Sequence, residues 1–274
     1  MPIASSLLLT ALLAAAGPSR GPTMAIEDTL HTEVPEVLVR APRVTLDEIL
    51  ERVARGEARR ESLITDESFL TGIRVMREVT NTRREPRLVQ ETVWRVFRKQ
   101  PDKVRSLPLR RREPKPPKSG ARADVDLDFN PGMGEEIVNF AFRPDARDRY
   151  RFRIVGRDVV SGHLIYRIHF EPRSALDPFA PSGLVWVDTN DFVIVREEVR
   201  FERSPVPLVM KSIDRMVVER DQVQGHWVLS RVLLRAELTL SIPTFGSSFD
   251  VAMHFSDYKI NAGIDDAVFG RAAR

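Results

Sequence analysis

The chain has 274 residues, with 42 Lys+Arg against 39 Asp+Glu, five His and no Cys. That length holds one large all-β or α+β domain or two small ones, and a hydrophobic content of 42% excludes global disorder. The net charge of +3 demands no nucleic-acid partner, and the lack of Cys excludes disulfide frameworks, zinc ribbons, iron–sulfur clusters and cysteine nucleophiles.

Residues 1–16 read as a signal peptide. Ile3 to Ala16 is an apolar run of h-region length, too short to span a bilayer, and Ala14-Ala15-Ala16 supplies small residues for cleavage. No Lys or Arg precedes the run, so a buried N-terminal helix is the competing reading. Beyond this segment no stretch approaches the ~18 apolar residues of a spanning helix, so none is expected in the mature chain. Without Cys there is no lipobox, and the expected product is soluble and periplasmic.

Residues 17–43, with Pro18, Pro22, Pro35 and Pro42, read as an extended leader arm before a single domain over 44–270. A helix opens that domain. Thr45 and Glu48 have capping-box spacing, and Leu46, Ile49, Leu50 and Val53 share one helical face. Gly56 and the charged run Glu57 to Glu61 mark its weakening end, so the expected span is about 45–55.

After Asp66 the period changes to two. Tyr150, Phe152 and Ile154 alternate with Arg149, Arg151 and Arg153; Leu164, Tyr166, Ile168 and Phe170 alternate with His163, Arg167 and His169. Val232 to Leu240 and Phe249 to Phe255 continue the pattern, with turn signals at Ser161-Gly162, Asn190-Asp191, Asp221 to Gly225 and Pro243 to Gly246. Short turns between successive strands imply an antiparallel meander of about ten strands, with the helix covering its apolar face. The fold class is therefore α+β and mainly antiparallel β. Pro108 to Lys118 is expected to be a solvated hairpin tip or loop, because its prolines forbid a central strand.

Chemistry-bearing constellations are sparse. Asp124, Asp126, Asp128, Asn130 and Glu135 match calcium-loop positions, but Phe129 stands where that loop needs Gly, and strand alternation explains the same residues. His163 and His169 share a strand face about 20 Å apart, too far for one metal. No serine elbow, phosphate-cradling glycine loop or H-E-x-x-H is present, and Asp265-Asp266 reads as a cap rather than an acid–base pair. Arg149, Arg151, Arg153, Arg167, Arg196 and Arg200 are interleaved with Glu197, Glu198, Glu202 and Glu237, a pattern of cross-strand pairs on a solvated face. No catalytic residue, metal, cofactor or nucleic-acid partner is expected.

The C-terminal half carries a resemblance. Gly183-Leu184-Val185-Trp186-Val187-Asp188 ends a strand in Asp; Gly225-His226-Trp227 opens a long one; Tyr258-Lys259-Ile260-Asn261 precedes Ile264 to Phe269. This succession resembles the lipoprotein-sorting-protein superfamily, the LolA/LolB-like and RseB-like proteins of bacterial envelopes, and fits the soluble carrier branch. The resemblance implies a curved, incomplete barrel with a helix on its concave side and an apolar cavity for acyl chains of a lipid or lipoprotein. Lined by Phe152, Ile154, Tyr166, Ile168, Trp186, Leu234 and Leu238, that cavity would have Leu46, Ile49, Leu50 and Val53 as a lid. The same alternation also fits a cavity filled by side chains. The RseB-like side implies a sensor or assembly protein that binds an envelope partner instead.

Overall fold

In the computed structural model, the described residues are 44–78, 86–113, 141–160, 162–174, 180–201, 203, 210–242 and 246–270. The signal-like segment, the leader arm, residues 114–118 of the proline-rich stretch and the calcium-like spacing at 124–135 lie outside them.

One helix, α1 (Leu46–Ser62), opens the described chain. Thr45 is its N-cap, its side-chain oxygen accepting from the Glu48 amide at 3.2 Å. The reciprocal half of the expected box is missing, because the Glu48 carboxylate pairs with Arg52 one turn on. Asp47 and Glu48 in the first turn, with Arg59 and Arg60 in the last, suit the helix dipole. The helix does not weaken at Gly56 as expected. It runs through the charged segment to Ser62, and Gly56 and Glu57 are themselves buried.

Ten strands follow: β1 (Asp66–Glu78), β2 (Pro86–Lys99), β3 (Lys103–Arg112), β4 (Tyr150–Val160), β5 (His163–Pro172), β6 (Ser182–Asp188), β7 (Val193–Phe201), β8 (Met210–Val223), β9 (His226–Ile242) and β10 (Gly246–Ile260). Short 3-10 turns at Arg147–Arg149 and Asp266–Val268 precede β4 and follow β10. All ten form one antiparallel sheet in the order β3-β2-β1-β10-β9-β8-β7-β6-β5-β4. Among the described residues β3 and β4 are its two edges and do not pair with each other, so the sheet is an incomplete barrel. Bulges recur along it, among them one at Val155 and one at Val195, and each sharpens the local twist.

Turn chemistry fixes the register. Between β8 and β9, Gln224 and Gly225 have φ of 52° and 78°, the two positive values of a two-residue hairpin turn. The expected loop at Pro108 is partly strand: β3 runs to Arg112, and Pro108 pairs with Trp94 beside a bulge. An edge strand tolerates it, since Pro cannot donate to a second neighbour.

One face of the sheet carries the core. Phe69, Ile73 and Val75 of β1, Ile168 and Phe170 of β5, Val185 and Val187 of β6 and Val251 of β10 are buried in one cluster with Ile49, Leu50 and Val53 of α1. The other face is laced with ion pairs. Arg196 bridges Glu219 and Glu198, Arg231 also reaches Glu219, and Arg235 meets Asp250 at 2.8 Å. Of the arginines expected to pair there, Arg196 does so and Arg167 meets Asp158 at 3.0 Å, whereas Glu197, expected on the solvated face, is fully buried.

Candidate functional site

The residues expected to line an apolar cavity separate into two groups. Phe152, Ile154, Tyr166, Ile168, Leu234 and Leu238 lie on the core face, packed in or against the core cluster. Ile168 is fully buried between Ile154 and Val185 across the neighbouring strands. Trp186 does not join them. Its neighbours Val185 and Val187 take the core face, so alternation turns its ring outward, where Arg196 stacks over it at 5.1 Å. Of the helix residues, Ile49, Leu50 and Val53 are buried, and Leu46 is half-buried against the same cluster.

What holds α1 to the sheet is polar. Glu57 follows Leu50 and Val53 by seven and four residues, which puts its carboxylate on the buried face. There it accepts from Arg220 Nη1 at 2.8 and 3.0 Å, from the Ile194 amide at 2.8 Å and from Arg60 Nε at 3.2 Å. Arg220 also donates to the Ile194 carbonyl at 3.0 Å, and both members of the pair are buried. Buried charges survive only when paired and hydrogen-bonded like this. Immediately before Glu57, a Cβ on Gly56 would stand 2.4 Å from the Phe192 carbonyl oxygen and 2.5 Å from that of Asp191. The helix therefore lies directly on the β6–β7 turn, a contact that only glycine permits.

Asp188 builds that turn. Almost wholly buried, it accepts from the Asn190 and Asp191 amides at 2.8 and 3.3 Å and meets His163 Nδ1 at 2.5 Å. Asp191 in turn accepts from Arg59 of α1 and from Trp227 Nε1. His163 is thus tied to a structural carboxylate, and His169 sits farther along β5. Among the described residues no group of three or more His, Cys, Asp or Glu could hold a metal ion.

A cleft of about 530 Å³ lies between the C-terminal half of α1, the start of β1, the β2–β3 turn and Phe142 to Pro144. That volume falls within the roughly 300–1,000 Å³ of small-molecule pockets. Much of its lining is charged. Glu67 pairs with Arg98 at 3.1 Å, and Lys99 and Lys103 both reach Asp266, at 2.6 and 2.9 Å. Hydrogen bonds from these two lysines pull the Asp266 carboxyl down to about 2, and the bond to Asp266 raises Lys99. Asp265 caps the last 3-10 turn, accepting from the Ala267 amide, as the sequence suggested.

The lining also includes the apolar Ala54, Ile64 and Phe142. The Phe142 ring packs on Phe152 at 5.1 Å and on Phe170 at 6.1 Å, so it joins the cleft to the aromatic part of the core. None of the seven expected cavity residues lines this cleft. Sequence reasoning passed over Glu57, Arg60, Arg98 and Phe142. The helical spacing of Glu57 from Leu50 was the available signal for one of them.

No protein-family model matches the chain, and no curated protein matches it. Solved structures do. A domain from Vibrio parahaemolyticus described as an outer membrane lipoprotein-sorting protein domain is similar over 81% of this chain and 97% of its own, at 11% identity and a TM-score of 0.40. A LolA superfamily protein of Nitrosomonas europaea is similar over 83% and 98%, at 12% identity and a TM-score of 0.38. The MucB chain family, solved as the Pseudomonas aeruginosa MucA/MucB complex, is similar over 79% and 99%, at 12% identity and a TM-score of 0.23. Among the described residues no helix is long and apolar enough to cross a membrane.

Proposed function

We propose that this chain is an exported binding protein for an acylated ligand, a lipid or lipoprotein, taken up through the cleft beside α1. The observation that carries the reading is the mixed lining of that cleft: the charged Arg60, Arg98, Lys99 and Glu67 together with Phe142, itself stacked on the aromatic core. An amphipathic molecule matches such a lining, with its head on the charged groups and its chain on Phe142. Each methylene withdrawn from water contributes about 0.8 kcal/mol, so a short length of acyl chain supplies useful affinity. Deeper insertion, toward Phe152, Ile154, Tyr166, Ile168, Leu234 and Leu238, requires Leu46, Ile49, Leu50 and Val53 to give way. In that step α1 is the lid, and Glu57 is its fixed end. The signal-like N-terminus supports a periplasmic location, and the reading involves no catalytic step.

Native mass spectrometry of the full protein, purified gently from its own envelope, tests the reading. A bound mass matching a lipid or an acylated peptide is expected, as is uptake of a fluorescent fatty acid that Ala58→Trp reduces by filling the cleft mouth. Ala58 is exposed and lines the cleft, so the larger ring leaves the core intact. A bare protein that takes up no probe refutes the acyl reading.

A second reading has its own observation. The core face beneath α1 is filled, with Ile168, Phe170, Val185 and Val187 fully buried by protein side chains. A filled face suits an envelope sensor or assembly protein that grips a protein partner from outside. A stoichiometric partner without lipid, recovered by crosslinking, would select it.

A further inference from the structure

The sheet ends in an anomaly at the β4–β5 hairpin. Val159 is 73% exposed, Val160 57% and Leu164 37%, and outside this hairpin only Val104 and Leu109 on the other edge strand, β3, match that exposure among the described large apolar strand residues. Register sorts them. Val159 pairs with Leu164 and Val160 with His163, so Val159 and Leu164 share the face that carries Tyr166 and Ile168, and Val160 projects from the opposite face. The tip is therefore apolar on both sides. A protein groove would cover one side of a hairpin; a continuous apolar medium covers both.

Strand addition by a partner is disfavoured at the same edge. Among the described residues β4 is an edge strand, and it carries Arg151, Arg153 and Arg157 and the bulge at Val155, devices that discourage pairing with another strand. Of these, Arg157 is the basic residue just behind the tip; Arg153 and Arg151 lie about 20 Å or more behind Val159 along the strand. Arg157 stands two residues, or about 7 Å, behind Val159 and lies over the Tyr166 ring at 5.3 Å. Along the eleven residues of β4 the three arginines face a single acid, Asp158, which pairs with Arg167. An apolar tip with a cationic residue just behind it matches the layering of an anionic lipid surface: acyl region outermost, phosphates just behind.

We infer that the β4–β5 hairpin tip is a membrane-docking element, with Val159, Val160 and Leu164 entering the acyl region of an anionic lipid surface and Arg157 meeting its phosphates. The inference stands apart from the cleft reading, since neither valine lines the cleft.

The Cys-free chain permits a single reporter. The full protein carrying Val160→Cys, labelled with an environment-sensitive fluorophore, is mixed with vesicles of equimolar phosphatidylglycerol and phosphatidylcholine, or of phosphatidylcholine alone. A blue shift is expected with the anionic vesicles, weakened by salt, and little with the neutral ones. In co-sedimentation, Val159→Asp with Val160→Asp should lower vesicle affinity about tenfold or more, and Val160→Thr, which suits a strand, severalfold. Arg157→Gln should weaken the preference for anionic lipid. The tip variants should keep the melting temperature and the uptake of fluorescent fatty acid.

No blue shift with anionic vesicles, or unchanged binding by the tip variants, would overturn the inference. So would a shift that requires an added envelope protein, which would assign the tip to a protein partner. Loss of fatty-acid uptake in the tip variants would also overturn it, by merging the tip with the cleft.

Discussion

Replacing Glu57 by leucine keeps a side chain of similar size on the buried face of α1 but strips three donors of their acceptor. Arg220, with its guanidinium buried, loses the carboxylate at 2.8 and 3.0 Å, and the Ile194 amide loses its acceptor at 2.8 Å. Removing one member of a buried ion pair costs about 3–5 kcal/mol, and an orphaned buried amide adds about 1–3 kcal/mol. Glu57→Leu should therefore lose at least about 3 kcal/mol, and so should Arg220→Met, which strands the carboxylate with Arg60. The double variant removes both charges together and should lose less than the two single losses combined, with a coupling energy above about 2 kcal/mol. Urea unfolding followed by tryptophan fluorescence reads all four proteins, the effect appearing as a shift in midpoint at constant slope. If Glu57→Leu costs under about 1 kcal/mol, or the two losses add within about 0.5 kcal/mol, the pair is not what anchors the helix.

Gly56→Ala, which in an exposed helix would gain about 1 kcal/mol, should instead destabilise, because the new methyl meets the Phe192 and Asp191 carbonyls; a raised melting temperature would contradict the close approach. Asp266 has a folded-state pKa depressed to about 2 from 3.8, so its contribution is present above pH 3.8 and lost as pH falls through about 2. Asp266→Asn should thus weaken hydrogen-exchange protection of the C-terminal turn near neutrality and make no difference once the pH is below 2. Ile168→Ala should cost about 2–5 kcal/mol in the ligand-free protein if the core face is filled by side chains, and far less if that face lines an open space. Trp186→Ala, on the outer face, should cost less than Ile168→Ala in the same unfolding assay.

The architecture was legible because its signals are local. Thr45 sits one residue before an apolar periodic face, alternation marks the strands, and Gln224-Gly225 is a two-residue turn by composition alone. What failed did so for identifiable reasons. The segment Leu184-Val185-Trp186-Val187 is apolar throughout, so it carries no alternation from which to read the face of Trp186. Pro108 was assigned to a loop because whether a strand is central or at an edge depends on sheet order, which a single strand does not encode. The helix end was misjudged because Gly56 and the charges after it look like a terminus, whereas Glu57 is held by Arg220 from β8, far away in sequence. The cleft was invisible for the same reason: its lining comes from α1, β1, β2, β3 and Phe142, brought together only by the fold.

The pairing of β1 with β10 sets the order in which this molecule can be completed. Strands β4 to β10 pair with sequence neighbours, and so do β1 to β3, but the seam that joins the two groups aligns Glu67 with Ile260 and Arg77 with Phe249. A chain delivered N-terminus first, from a ribosome or through a translocation pore, presents β1 long before its partner exists. Until the last strand arrives, β1 is an open edge with Phe69, Ile73 and Val75 on one side, so the first three strands must be kept from pairing elsewhere. Closure of that seam is a long-range contact and should be slow relative to the hairpins that precede it. Truncation within Phe249–Ile260 would therefore do more than shorten the sheet: it would leave two hairpin ribbons with no line along which to join.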